Sequence, residues 1–248
     1  NRHDFSIRQT FDFPTAYLFK NKLSSSGKIV SDLNYEKSRQ DILLEARKLC
    51  VDVIYQENLL RIASQREEDA NRMVMAYRKM LEEGKGNKLD LNRALIALAQ
   101  VKSEILLLKN HQMEMLSKLK VMNGGESLVV NMINFPEVPL PANFEDWYSI
   151  NSNQITELKL LREMIVSKDL TVKVQRSLTL PKFSAGYMSE KVTGEQFQGV
   201  TLGMSLPLWG NRNTVKTLKA EYSSLELKLS EEELRIKAEM NIQFDRVI

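Results

Sequence analysis

The chain has 248 residues, 43% apolar and 27% charged, with 10 Gly, 6 Pro and a formal net charge of +3. So few breakers among abundant Leu, Lys, Glu, Met and Arg favour long helices over an all-strand fold or an α/β enzyme. The small net charge, with Lys and Arg interleaved among Asp and Glu, points away from nucleic acid. Cys50 is the only cysteine, which excludes an internal disulfide and a thiolate metal cluster built from one chain.

Asn1-Arg2-His3-Asp4 carries neither a charged n-region nor an apolar h-region, so no secretory signal is expected here and the chain reads as beginning inside a larger unit. No apolar run approaches the roughly 18 residues that a membrane-spanning helix needs. Any crossing of a bilayer would therefore be made by strands. Residues 1–14 hold an alternating strand, with Phe5, Ile7, Phe11 and Phe13 on one face and Ser6, Arg8, Thr10 and Asp12 on the other. After Pro14 the period changes.

Residues 15–122 read as one long antiparallel helical hairpin. Its first helix, on the order of 100 Å at 1.5 Å per residue, repeats apolar residues every four and three positions. The seam is Ile42, Ala46, Leu49, Val53, Leu60, Ala63, Ala70, Val74, Tyr77 and Leu81, with Gln56 and Glu67 as polar members. Gly84-Lys85-Gly86-Asn87 breaks the helix, and Asn87 with Asp90 three residues on restarts it in the manner of a capping box. The return helix carries its own heptad in Leu91, Ala94, Leu98, Val101, Ile105, Leu108, Met115, Leu119 and Met122, with Gln112 as its polar member, and stops at Asn123-Gly124-Gly125.

Residues 123–151, with Pro136, Pro139 and Pro141, show no helical period and read as a connecting segment with a short strand at 128–130. A helix is expected over 152–180, stopping at Pro181. Residues 181–209 hold two alternating strands about a turn at Thr193-Gly194-Glu195. The first sets Phe183, Ala185 and Tyr187 on one face. The second sets Val200, Leu202, Met204, Leu206 and Leu208 in one row, with Gln198, Thr201, Gly203 and Ser205 largely opposite. Helix returns over 210–248, and both ends of the chain read as cut. The layout of strand, proline and long helix thus occurs twice, around Pro14 and around Pro207.

A strand of about ten residues with an unbroken apolar face suits a membrane barrel, one face on lipid and the other on water. The same alternation suits a hairpin lying on a soluble core. The helices that would cover such a hairpin are rods with seams and polar faces of their own. Three strands close no barrel, so strands in a membrane would have to be shared among several chains.

Four stretches carry a resemblance: 9–14 (QTFDFP), the turn 83–94, the strand entry 180–187, and 199–213 (GVTLGMSLPLWGNRN). In these the chain resembles TolC-like outer-membrane efflux proteins, and 83–94 and 199–213 are most similar to the branch that exports heavy-metal cations. The resemblance implies a mainly α fold with a few antiparallel β-strands: long helical hairpins forming a periplasmic α-barrel, plus strands of a transmembrane β-barrel shared by a homotrimer. It further implies two repeats per protomer, with Pro14 and Pro207 at equivalent strand-to-helix junctions. The first helices and first strand of the family are missing, and the chain stops within the last helical pair.

The implied activity is a passive conduit for metal cations or drugs in the bacterial outer membrane, reaching into the periplasm. Its implied partners are a periplasmic adaptor, an inner-membrane pump and outer-membrane lipid. The family's partner-docking turn corresponds to Leu81, Gly84, Gly86, Asn87, Leu89 and Asp90, residues that could equally serve only to reverse the helices. The lipid-facing row would be Val200, Leu202, Met204, Leu206 and Leu208.

No catalytic, cofactor-binding or metal site is expected. His111 and Met115 share a helical face while Met113 points elsewhere, so the three do not converge as ligands. His3 stands alone at the N-terminus. Neither a Gly-rich phosphate loop nor a nucleophile elbow is present, and acidic runs such as 66–69 and 231–233 read as solvated helix faces. The alternative is a soluble coiled-coil scaffold or periplasmic adaptor whose hairpin binds partner helices.

Overall fold

Pro14 opens a helix of 69 residues, α1 (Pro14–Glu82), its fixed φ and missing N–H suiting the first helical position. The computed structural model describes residues 3–129, 134–135, 139–192, 195–207 and 212–247. Within these the order is β1 (His3–Phe11), α1, α2 (Lys88–Met122), α3 (Phe144–Asn151), a single 3-10 turn, α4 (Thr156–Ser177), β2 (Lys182–Val192), β3 (Glu195–Ser205) and α5 (Arg212–Val247). The chain divides into two compact units, Ser38–Leu140 and Asn1–Lys37 with Pro141–Ile248.

The unit Ser38–Leu140 is the helical hairpin, and its heptad positions meet. Leu60 and Ala63 of α1 pack with Val101 and Ile105 of α2, flanked by Leu108. Leu49 and Val53 pack with Leu119, flanked by Ala46, Met115 and Met122. Ile42, also expected in the seam, is instead more than half exposed, at 55%. The polar members find hydrophilic partners across the seam: Gln112 Nε2 donates to Glu57 Oε2 at 2.7 Å, and Lys102 Nζ lies 3.9 Å from Glu67. Gln56 is the exception, for its Oε1 is buried with no hydrogen-bond partner.

In the other unit α4 lies against α5, with Arg162 on Glu233 at 2.8 Å and Lys168 on Glu221 at 3.0 Å. Ser26, early in α1, donates to Glu163 of α4 at 2.6 Å. Leu158, Leu160, Leu161, Val172 and Val174 of α4 and Ile236 of α5 are buried. The helix α3 lies where only a connecting segment is expected. Asn143 caps it by accepting from the Glu145 and Asp146 amides, and Phe144 stacks on Tyr148 and meets Phe244 of α5 at 5.8 Å between ring centres. Of the strand expected over 128–130, Leu128 and Val129 have no regular structure and Val130 lies outside the described residues. The helix expected from 152 begins at Thr156, because Ser152–Gln154 form the 3-10 turn and Ile155 is extended.

The three strands form one antiparallel sheet in the order β1-β2-β3. Ile7 pairs with Tyr187 and Phe11 with Phe183; Tyr187 pairs with Val200, Ala185 with Leu202 and Phe183 with Met204. Paired residues share a face. Gln198, expected opposite Val200, pairs with Ser189 and belongs to the Val200 side, as a period of two requires. Thr193 and Gly194 of the expected turn, and Leu208 of the expected row, lie outside the described residues.

Candidate functional site

The sheet is inverted with respect to a soluble protein. Register brings Phe5, Ile7, Phe11, Phe183, Ala185, Tyr187, Val200, Leu202 and Met204 onto one face, with Gln9, Ser189 and Gln198 at its polar positions, and all nine of the named apolar residues are exposed. Val200 is 76% exposed, Leu202 83% and Met204 62%, and no residue of the row is buried. Leu206, just past the end of β3, is exposed as well. The opposite face carries Ser6, Arg8, Thr10, Ser184, Gly186, Gly199, Thr201 and Gly203, with Met188 and Phe197 as its exposed apolar members, and there Ser184, Gly186, Gly199 and Thr201 are half-buried.

That arrangement is costly in water. Burying a large apolar side chain is worth about 1.5–3 kcal/mol, so leaving eight of them in water forfeits on the order of 10 kcal/mol, comparable to the whole stability of a domain. A three-stranded sheet with neither face covered would not stand alone. Strand lengths of 9, 11 and 11 residues match the 9–11 that a tilted strand uses to cross hydrocarbon. None of the described helices is long and apolar enough to cross a membrane.

The junction from sheet to helix is held by charge. Asp12, just past β1, accepts from Lys20 of α1 at 2.7 Å and meets Lys182 at the start of β2 at 3.0 Å, while its amide donates to the Tyr17 hydroxyl. Pro14 thus begins α1 with the preceding strand pinned in place. Pro207 lies in the corresponding stretch between β3 and α5, whose residues 208–211 are outside the described set.

The second candidate region is the hairpin tip. The α1 helix ends in a Schellman pair, Gly84 N–H to Leu81 C=O at 3.1 Å and Lys85 N–H to Met80 C=O at 2.9 Å, with Gly84 at φ +71°. Gly86 is closed in by Leu81 and Met80. Asn87 then caps α2: its Oδ1 accepts the Asp90 amide at 2.8 Å, and its Nδ2 donates to the Asp90 carboxylate at 2.6 Å. Five of the six tip residues, Leu81, Gly84, Gly86, Asn87 and Asp90, therefore have structural work in reversing the chain. Leu81 is half-buried, and Leu89, 59% exposed, is left with no such task.

A third surface escapes the heptad reading. Leu44, Val51, Tyr55, Ile62, Met73 and Met80 are all exposed on α1. From 44 to 80 is 36 residues, ten turns of 3.6, so they form a straight stripe, roughly 140° round the helix from the seam at Leu49. A search at period 3.6 instead of 3.5 would have found it. Among the described residues no group of three or more His, Cys, Asp or Glu could hold a metal ion. His111 is exposed and lies 4.0 Å from Glu114.

The family model described as outer membrane efflux protein matches residues 30–125, the greater part of the hairpin. No curated protein sequence matches the chain. Among solved structures it is similar to the outer-membrane protein VceC of Vibrio cholerae, at 11% identity and a TM-score of 0.71 over 95% of this chain and 66% of that one. It is similar to the outer-membrane channel OprN, at 12% identity and a TM-score of 0.76 over 99% and 64%. It is also similar to the CmeC outer-membrane channel of Campylobacter jejuni, at 14% and 0.74 over 98% and 61%. Identities this low establish the fold, a mainly helical chain with a small antiparallel sheet. The chain spans between 61 and 66% of the length of those three proteins.

Proposed function

We propose that this chain is part of a passive outer-membrane export channel, its sheet one segment of a transmembrane β-barrel shared by three copies and its helical hairpin part of an α-barrel in the periplasm. One observation carries the reading: the sheet sets a row of exposed apolar side chains on one face, opposite a mostly small and polar face whose central residues are half-buried, which is the order that hydrocarbon on one side and water on the other demand. Three strands leave two open edges, and open edges are not tolerated in lipid. Further strands of the whole protein and of neighbouring copies close them. The exposed stripe of Leu44, Val51, Tyr55, Ile62, Met73 and Met80 then faces helices of the same α-barrel.

No bond is made or broken by such a conduit. Energy comes from an inner-membrane pump, and a periplasmic adaptor docks at the hairpin tip, with Leu89 as its apolar contact. Metal cations or drugs are the cargo classes, and the likeness at 83–94 and 199–213 favours metal cations. A soluble scaffold or adaptor would have to bury the row of Val200, Leu202 and Met204 against protein, and here the row is open.

The experiment is fractionation of the whole gene product, followed by purification in detergent, particle imaging and planar-bilayer recording. Outer-membrane localisation, a threefold particle with a central opening and ion conductance are expected. A monodisperse particle that is soluble without detergent would sink the proposal.

A further inference from the structure

Gly186 lies in the middle strand, paired with Arg8 of β1 and Thr201 of β3, and its missing side chain would fall on the polar face. A Cβ there would meet the Ile7 carbonyl oxygen at 2.6 Å, Thr201 Oγ1 at 2.8 Å and Arg8 Cα at 3.2 Å. Two of the three are backbone atoms of β1, which cannot swing aside as a side chain can. The β1 backbone therefore leans over Gly186 on the polar side. On the same face a Cβ at Gly203 would meet Ser184 Oγ at 2.6 Å, a hydroxyl free to rotate, and one at Gly199 would meet nothing within 4 Å. In the middle of that face Ser184, Gly186, Gly199 and Thr201 are half-buried, while Gly203 and the β1 residues Ser6, Arg8 and Thr10 are exposed. Glycine within a strand marks a place where another backbone comes close, and sheets are curled at such places.

We propose that Gly186 sets the inward curl of the sheet, polar face concave, and so gives the sheet the curvature that lets the neighbouring strands of the assembled protein close it into a cylinder. The inference rests on the channel reading above. Gly186 contributes by what it lacks: any Cβ pushes β1 away from β2 on the polar side, flattens the sheet and turns the edges out of the arc in which the neighbouring strands must pair.

The test compares Gly186→Ala, Gly186→Val and Gly199→Ala in the whole gene product, reading the membrane-inserted assembly by its altered migration in unheated detergent gels and the helices by far-ultraviolet circular dichroism. Gly186→Ala is expected to lower the assembled fraction several-fold and Gly186→Val tenfold or more, with Gly199→Ala within twofold of wild type and the helical signal unchanged in all three. Assembly of Gly186→Val within twofold of wild type overturns the inference and leaves the channel reading standing. So does a fall of Gly199→Ala together with it, or a collapse of the helical signal, since a residue acting through the curl spares the α1/α2 hairpin. A wild-type protein that never enters a membrane overturns both.

Discussion

Gly86 lies against the backbone of Leu81: a Cβ on the glycine would stand 3.0 Å from the Leu81 nitrogen and 3.1 Å from the Met80 carbonyl carbon. The start of the second helix is thereby folded tightly back on the end of the first. Gly86→Ala forces the last turn of α1 to shift and is expected to cost about 1–2 kcal/mol, in the range of other overpacking changes. Gly84→Ala costs about 1 kcal/mol for a different reason, the positive φ that an L side chain resists. Native-state hydrogen exchange of amides 80–91 reads both. Protection that stays unchanged in Gly86→Ala would show that the approach carries no energy.

Leu89 separates the two roles that overlap at the tip. It is 59% exposed and takes no part in the Schellman pair or the Asn87 cap. Leu89→Glu is expected to leave hairpin stability within about 0.5 kcal/mol, as surface changes away from caps and cores do. If the tip docks an adaptor through an apolar contact, the same change weakens co-purification of that adaptor at least tenfold. Full retention of the adaptor would reduce the tip to a helix reversal.

The heptad seams were readable because a period of 3.5 sustained over many turns leaves little choice of face. Leu49, Val53, Leu60, Ala63 and Val74, and Ala94, Val101, Ile105 and Leu119, are buried for that reason. The straight stripe through Leu44, Tyr55 and Ile62 was hidden by the seam on the far side of the helix, since both contribute apolar residues to the same turns. The eight residues of α3 are too few to show a period, and only Asn143 followed by Glu145 and Asp146 marked its start. The strands were visible as alternation, but alternation is silent about which face is open. That required the register across β1, β2 and β3 and the exposure of each row.

Gln56 offers a gain of stability. Its Oε1 is buried with no hydrogen-bond partner, and an unsatisfied buried acceptor costs about 1–3 kcal/mol. Gln56→Leu supplies an apolar side chain of similar length to a seam position and is expected to stabilise the hairpin by about 1 kcal/mol. Thermal melting checks it. A lowered melting temperature would mean that the amide is satisfied by water or by a neighbouring chain.

Glu114 and Lys118 of α2 form a pair at 2.7 Å, four residues apart on one helix face. The Lys118 hydrogen bond, then its charge, holds the Glu114 carboxyl below its ordinary value of 4.5, and His111 adds a smaller pull. The same contact raises Lys118 above 10.5. Because the folded carboxyl is depressed, the support it lends the helix is present above pH 4.5 and fades as the pH falls through the folded value. For Lys118 the support is present below pH 10.5 and is lost on raising the pH through its folded value. Lys118→Met is expected to return the Glu114 titration, followed by its carboxyl carbon resonance, toward 4.5. An unmoved midpoint would assign the shift to another group.

Leu202 and Thr201 are neighbours in β3 on opposite faces of the sheet, and the membrane reading makes them respond oppositely to the same charge. Leu202 is 83% exposed. Were that exposure to water, Leu202→Arg would be nearly neutral, like other exposed substitutions. Facing hydrocarbon, the arginine costs about 2–4 kcal/mol near the bilayer midplane. Thr201→Arg puts the same charge on the polar face, beside Gly186, where an aqueous interior can solvate it. Assembly into membranes is therefore expected to fall at least tenfold for Leu202→Arg and much less for Thr201→Arg. Equal behaviour of the two variants would deny that the faces differ in what they meet. The reverse order would put lipid on the side of Ser184, Gly186 and Thr201, leaving the exposed row of Val200, Leu202 and Met204 to water.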